Sequence, residues 1–319
     1  MPIIARSSYP TPPFHLRNGH LQTILPAVLR KIEIAYERER IILSDGDFLD
    51  LDWLDKQSKY LAVLSHGLEG NSDRQYVKGM AEAFQQQGWD VLAWNCRSCS
   101  GEMNHALRLY NHGDINDIEE VMSHIFKTKN YEKIALIGFS MGGSITLKYM
   151  GVHGKALPDP IVAGIAFSSP CDLEDSIRIL EAPSNWLYKR KFLRNLKAKI
   201  LKKAEQFPDQ IDTSKFNKIK EWRDFDKHFS APINGYDSPE DFYYRASAKN
   251  FMYGIKRRAL LVNAQNDPIL TPACSPRDIC KDHPCLYLET PKYGGHVGFG
   301  VKGQKYTWSE TRALEFVNN

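Results

Sequence analysis

Cysteine is sparse in this sequence. Cys96, Cys99, Cys171, Cys274, Cys280 and Cys285 are the only six in 319 residues, too few for a disulfide-stapled scaffold, and free thiols in a reducing compartment are the expectation. Long apolar runs are missing too. No segment approaches the roughly 20 apolar residues of a membrane span, and Met1–Phe14 carries proline and serine where a secretory leader would carry an apolar core. A soluble, cytoplasmic protein is therefore expected. The Cys96-Arg97-Ser98-Cys99 pair has no second pair to complete a zinc site, so neither metal nor cofactor is expected. The charge excess is only +4, which provides no electrostatic footing for nucleic acid.

A 42% hydrophobic and 25% charged composition is that of a globular chain with a sizeable core. Short apolar runs alternate with longer amphipathic ones, the rhythm of a mostly parallel sheet covered by helices. Residues 32–43 and 48–54 read as an opening antiparallel pair. Tyr60–Leu64, Asp90–Trp94, Lys133–Phe139 and Ile161–Phe167 read as strands buried on both faces, with helices over 74–87, 115–127 and 140–149 between them. After Pro170 the rhythm stops, and it resumes only at Arg258–Asn263. The chain thus divides into a core of residues 1–170 and 251–319 and an inserted helical cap, 171–250. Within the cap, Trp186, Leu193, Leu196, Ile200, Ala204 and Phe207 recur at helical spacing. Eight Lys or Arg and no acid lie between Trp186 and Ala204, predicting a basic outer face that is either simply solvated or drawn to anionic lipid or micelle surfaces.

Gly138-Phe139-Ser140-Met141-Gly142 stands between an apolar strand and a helical stretch. Such a turn lifts the serine hydroxyl clear of the sheet, and it needs minimal side chains two positions to either side because strand and helix pass so close. A serine nucleophile requires a base, a carboxylate to orient that base, and donors for the oxyanion. Asp267 lies just beyond the strand ending near Asn263, and His296 lies in the glycine-rich loop Tyr293–Gly298. The order Ser140, Asp267, His296 is that of α/β-hydrolase triads, unlike the chymotrypsin or subtilisin orders. The loop Leu64-Ser65-His66-Gly67-Leu68-Glu69-Gly70 follows a buried strand. By the rule for this fold the oxyanion donors are the backbone N–H groups of Leu68 and Met141, with His66, Gly67, Gly138 and Gly142 supporting the two turns.

Arg17-Asn18-Gly19-His20-Leu21-Gln22-Thr23, His66–Gly70, Arg97-Ser98-Cys99-Ser100-Gly101-Glu102 and Gly138–Gly143 together resemble the YheT-like branch of the α/β-hydrolases. That branch is similar to abhydrolase-domain lipases, plant embryogenesis-associated proteins and yeast ethyl-ester synthases. The resemblance implies an α/β-hydrolase fold, with a mostly parallel eight-stranded sheet, helices on both faces and the helical cap. It also implies a serine hydrolase of carboxylic esters, medium-chain acyl esters or monoacylglycerols, some members transferring the acyl group to an alcohol. Ser98 stands where the family usually has glycine. A non-catalytic binding protein on the same fold is the alternative from another class; oligomeric state is not legible. His112 and Asp117 match an H-x4-D acyltransferase pattern but are expected to start a helix, Asp117 stabilising its terminus. His20 is a pocket candidate from the resemblance alone, and Trp186, Phe242 and Tyr243 are candidates for an apolar acyl pocket.

Overall fold

The continuous apolar runs form the middle of one sheet. A computed structural model describes residues 2–319, and its strands are β1 (Ile3–Ile4), β2 (Glu37–Ile42), β3 (Phe48–Leu54), β4 (Tyr60–Ser65), β5 (Asp90–Asn95), β6 (Lys133–Phe139), β7 (Ile161–Phe167), β8 (Arg258–Val262) and β9 (Leu286–Glu289). They pair in the order β1-β9-β8-β7-β6-β4-β5-β3-β2. Only the β2/β3 and β3/β5 pairs are antiparallel. The sheet has nine strands where eight were expected. The extra one, β1, is two residues long and extends β9 through Ile3 and Ile4 opposite Leu288 and Glu289, too short to leave a periodic trace in the sequence. The first expected strand also begins later, at Glu37.

Side chains alternate across the sheet, and both faces are covered, which is why the runs are apolar at every position. Leu61, Val63, Ile134 and Leu136 join one core with Ile118, Val121, Met122 and Ile125 of α3 (Asn116–Thr128) and Ile145 and Met150 of α4 (Met141–His153). Ala62, Leu64, Ala135 and Ile137 join the other with Val77, Met80 and Phe84 of α2 (Gln75–Gln86) and Ala313 and Phe316 of the terminal helix Trp308–Asn318. The parallel strands β4, β6, β7 and β8 deliver their C-terminal ends to one edge, where α/β folds place their chemistry.

Between β7 and β8 the chain leaves the sheet. This excursion contains α5 (Leu173–Leu180), α6 (Trp186–Gln206), the helical run Trp222–Phe225, a π-helical turn Asp226–Ser230, and the helix Pro239–Ala246. Its apolar side chains Leu173, Ile177, Trp222 and Phe242 pack with Leu68 and Ile269 of the sheet edge, and Ile200, Phe225 and Phe229 pack with Leu109. Not all of the cations on α6 face outward. Lys203 is fully buried, donating to the Asn104 and Ala106 carbonyls at 2.5 and 2.6 Å, and burial lowers its pKa to about 8. Lys199 turns inward as well, pairing with Glu69 at 2.9 Å. Among the described residues no helix is long and apolar enough to cross a membrane.

Candidate active site

Ser140 sits between the last residue of β6 and the first of α4, with φ +53° and ψ −122°. A side chain rarely occupies that region, so the surroundings must hold it there. They do so through close packing. A Cβ on Gly138 would overlap the Gly142 carbonyl, and one on Gly142 would overlap the carbonyl of Ser65 at the end of β4. Both glycines are thus needed for α4 to start directly above the sheet.

The Ser140 Oγ lies 2.9 Å from His296 Nε2, and His296 Nδ1 lies 2.8 Å from Asp267 Oδ2. The Asp267 side chain is fully buried and also accepts the Ile269 N–H at 3.0 Å. Its carboxylate therefore faces the imidazole as an acceptor with little water to compete. The structure brings these three residues together from loops after β6, β8 and β9. The N–H groups of Leu68 and Met141 have no hydrogen-bond acceptor among the described residues. Leu68 occupies a turn closed by the Gly70 N–H on the Gly67 carbonyl at 2.9 Å, with Glu69 at φ +54°. Tyr76 and Tyr110 hydroxyls accept the Gly67 and Glu69 N–H groups at 3.1 and 3.0 Å.

His66 lies beneath this turn and is buried. Its Nε2 accepts the Cys96 N–H at 3.0 Å, so the ring proton must be on Nδ1, which donates to the Gly67 carbonyl at 2.8 Å. Burial lowers its pKa to about 4. The imidazole is neutral and ties the end of β4 to the end of β5.

One set of site residues has no assigned task in the sequence reading: Gln22 and Thr23 of α1 (Gly19–Leu29), with Asn266. Thr23 Oγ1 accepts the His296 N–H at 2.9 Å while donating to the Gly19 carbonyl at 2.7 Å. Gln22 Oε1 accepts the Gly294 N–H at 2.9 Å and the Asn266 amide at 2.8 Å, and Asn266 Oδ1 accepts the Gly295 N–H at 3.0 Å. Gly295, at φ +59°, passes so close to α1 that a Cβ there would meet the Gly19 carbonyl at 2.7 Å. The Arg17–Thr23 motif was the available signal, but it does not name its partner. His20 points elsewhere, its Nδ1 being 3.2 Å from the Tyr188 hydroxyl of α6.

The other candidates separate. His112 precedes α3 instead of starting it and lines a pocket under the helical excursion. Asp117 lies in the first turn of α3, where it was expected, and its carboxylate also meets Arg97 at 2.9 Å and Arg108 at 2.7 Å, a tertiary role that goes beyond helix-terminus stabilisation. Phe242 lines the same pocket, joined by Trp222, Phe225 and Phe192. Tyr243 instead donates to Asp226 at 2.9 Å, and Trp186 lies exposed at the mouth of a second cleft. Ser98 adopts φ +60°, the conformation glycine would favour; its hydroxyl offsets the strain by donating to Asn104 Oδ1 at 2.5 Å and accepting the Asn104 N–H at 3.1 Å. Ser140 and His296 line both cavities, one predominantly apolar and beneath the helical excursion, the other bordered by Arg74, Arg190, Lys191 and Arg194.

A nucleophile elbow, an ordered Ser-Asp-His chain order and this sheet define a class. The family model described as the alpha/beta hydrolase fold matches residues 62–302, and the chain belongs to that family. YheT of Escherichia coli (strain K12) is 31% identical over 94% of this chain and 90% of its own length, which places the chain with the YheT-like branch. Phospholipase ABHD3 of Mus musculus is 29% identical over 99% of this chain and 79% of its own. Monoacylglycerol lipase of Saccharomyces cerevisiae (strain ATCC 204508 / S288c) is 29% identical over 76% of this chain and 55% of its own. The solved esterase Pf2001 of Pyrococcus furiosus shares the fold, with a TM-score of 0.59 at 18% identity over 89% of this chain and 92% of that one. The chain is an enzyme, with relatives of the esterase and lipase kind.

Proposed function

We propose that this enzyme hydrolyses carboxylic esters, medium-chain acyl esters or monoacylglycerols, through a covalent acyl-enzyme on Ser140. The observation that carries this reading is the line of hydrogen bonds from Asp267 through His296 to Ser140, which ends at an apolar pocket. His296 takes the Ser140 proton as Oγ attacks the ester carbonyl, and the free N–H groups of Leu68 and Met141 receive the oxyanion. His296 then returns the proton to the departing alcohol. Water, deprotonated by His296, releases the acid, and Asp267 keeps the imidazole aligned and favours its charged form. Two relatives carrying the names phospholipase and monoacylglycerol lipase support acyl esters of glycerol as the substrate type. The region 171–250 acts as a cap whose apolar side chains enclose the acyl group.

Covalent labelling by a fluorophosphonate, together with turnover of p-nitrophenyl esters, tests this. Wild type labels and turns over, whereas Ser140→Ala does neither; full activity in that variant would overturn the assignment. An alcohol in place of water would make the same intermediate an acyltransferase, and product analysis with ethanol separates the two.

The second cleft supports a second element of the proposal, contact with an anionic lipid or micelle surface. Val28 of α1 and Trp186 and Leu187 of α6 are exposed beside it, with the exposed cations Arg190, Lys191 and Arg194 alongside. Co-sedimentation with phosphatidylglycerol vesicles, weakened by salt and by Trp186→Ser, is expected. Equal binding to neutral vesicles would remove the charge argument.

A further inference from the structure

The pocket beneath the helical excursion is lined mostly by aliphatic and aromatic side chains, yet one part of it is polar. Asn111 and His112 reach it from the loop before α3, and Asp226, Ser230 and Asn234 from the helical run of the excursion. Neither segment contributes to the Ser140–His296–Asp267 line. Three of these groups, Asn111, His112 and Asn234, are incompletely paired. Asn234 Nδ2 donates to the Ser230 carbonyl at 2.9 Å, which fixes the orientation of its amide, and its buried Oδ1 then has no partner. Asn111 Oδ1 accepts the Gly113 N–H and the Tyr236 hydroxyl at 2.9 and 3.1 Å, while its Nδ2 has no acceptor among the described residues. The His112 ring likewise has no hydrogen-bond partner among the described residues, and burial lowers its pKa to about 4, keeping it neutral. Asp226 and Ser230 bound a π-helical turn, an irregularity that concentrates at functional sites.

A plain hydrocarbon chain filling this pocket would take water from the Asn111 donor and leave the Asn234 acceptor, already unpaired, without a partner, which is unfavourable. A group that both donates and accepts has the chemistry that both lack. A keto oxygen only accepts, so it would leave Asn234 Oδ1 without a donor; a hydroxyl meets both requirements. We propose that this pocket selects an acyl chain bearing a hydroxyl group away from its ester end, with Asn234 Oδ1 accepting from that hydroxyl and Asn111 or His112 donating to it. The proposal deepens the ester-hydrolase reading above and rests on it.

The test compares p-nitrophenyl esters of one chain length, unsubstituted and carrying a hydroxyl or a keto group at successive positions beyond the β-carbon. The best hydroxy isomer should exceed the plain ester in kcat/KM by about threefold to tenfold, the worth of one buried hydrogen bond. Without a built site the same hydroxyl would slow the reaction by about tenfold through desolvation. Asn234→Leu should bring the hydroxy/plain ratio to one or below, and the paired change Asn111→Leu with His112→Phe, which removes both donors and serves as a second variant in case the first is poorly folded, should lower it. The inference is overturned if no hydroxy isomer exceeds the plain ester, if a keto isomer exceeds every hydroxy isomer, or if the preference survives in both variants. In each of these cases ester turnover itself still stands. Failure to cleave any ester would instead bring down the hydrolase reading, and this inference with it.

Discussion

Ser140 holds a backbone conformation that costs stability and exposes its hydroxyl. Because φ is +53°, glycine fits this position better than any residue with a Cβ, and Ser140→Gly should raise unfolding stability by about 1 kcal/mol relative to Ser140→Ala while both abolish turnover. Urea denaturation of the two variants measures the difference. His66 makes a pH-dependent contribution of the opposite kind. Its pKa is about 4 in the fold and 6.5 when unfolded, so the unfolded chain binds more protons between these values. The stability it confers is fully present above pH 6.5 and is lost as pH falls toward 4, by about 2 kcal/mol between pH 6.5 and 5. Unfolding midpoints in His66→Asn should show a shallower pH slope across that window. An unchanged slope would mean that other groups carry it.

At the scale of elements, the strand and helix pattern was legible because burial on both faces leaves continuous apolar runs and amphipathic helices leave a period of 3.6. The elbow was legible because its glycines are close in sequence to the serine they serve. The role of α1 was not. Thr23 and His296 are 273 residues apart, and a threonine that accepts one N–H leaves no pattern. Thr23→Val keeps the shape of the side chain but removes that acceptor. We expect kcat to fall about tenfold with KM nearly unchanged, since the imidazole loses alignment while the pocket is intact. Thr23→Ser should restore most of the rate, and a parallel loss in KM would point to a disturbed cleft instead. The basic face of α6 was legible only in part: charge spacing marks where cations occur, but it did not indicate that Lys199 and Lys203 turn inward onto Glu69 and two carbonyls.

Across the whole molecule, buried charge links the sheet edge to the helices. The Arg97 guanidinium, buried after β5, meets Asp47 in the β2–β3 turn at 2.6 Å and Asp117 of α3 at 2.9 Å. Arg97→Met would strand both carboxylates out of water, and a loss of about 3–5 kcal/mol in unfolding free energy is expected. Calorimetry or urea melts of that variant provide the check, and a loss below about 1 kcal/mol would mean that water reaches the site. The sequence by itself determined the layered α/β core, the elbow serine and the chain order of its partners, because each is written in local periodicity or in turn chemistry. Only the tertiary structure decided that α1 braces the histidine loop, that β1 adds a ninth strand, and that polar groups from two distant segments line one apolar pocket. Those are contacts between residues far apart in the chain, and pairing at such distances depends on how the layers pack, which no local pattern records.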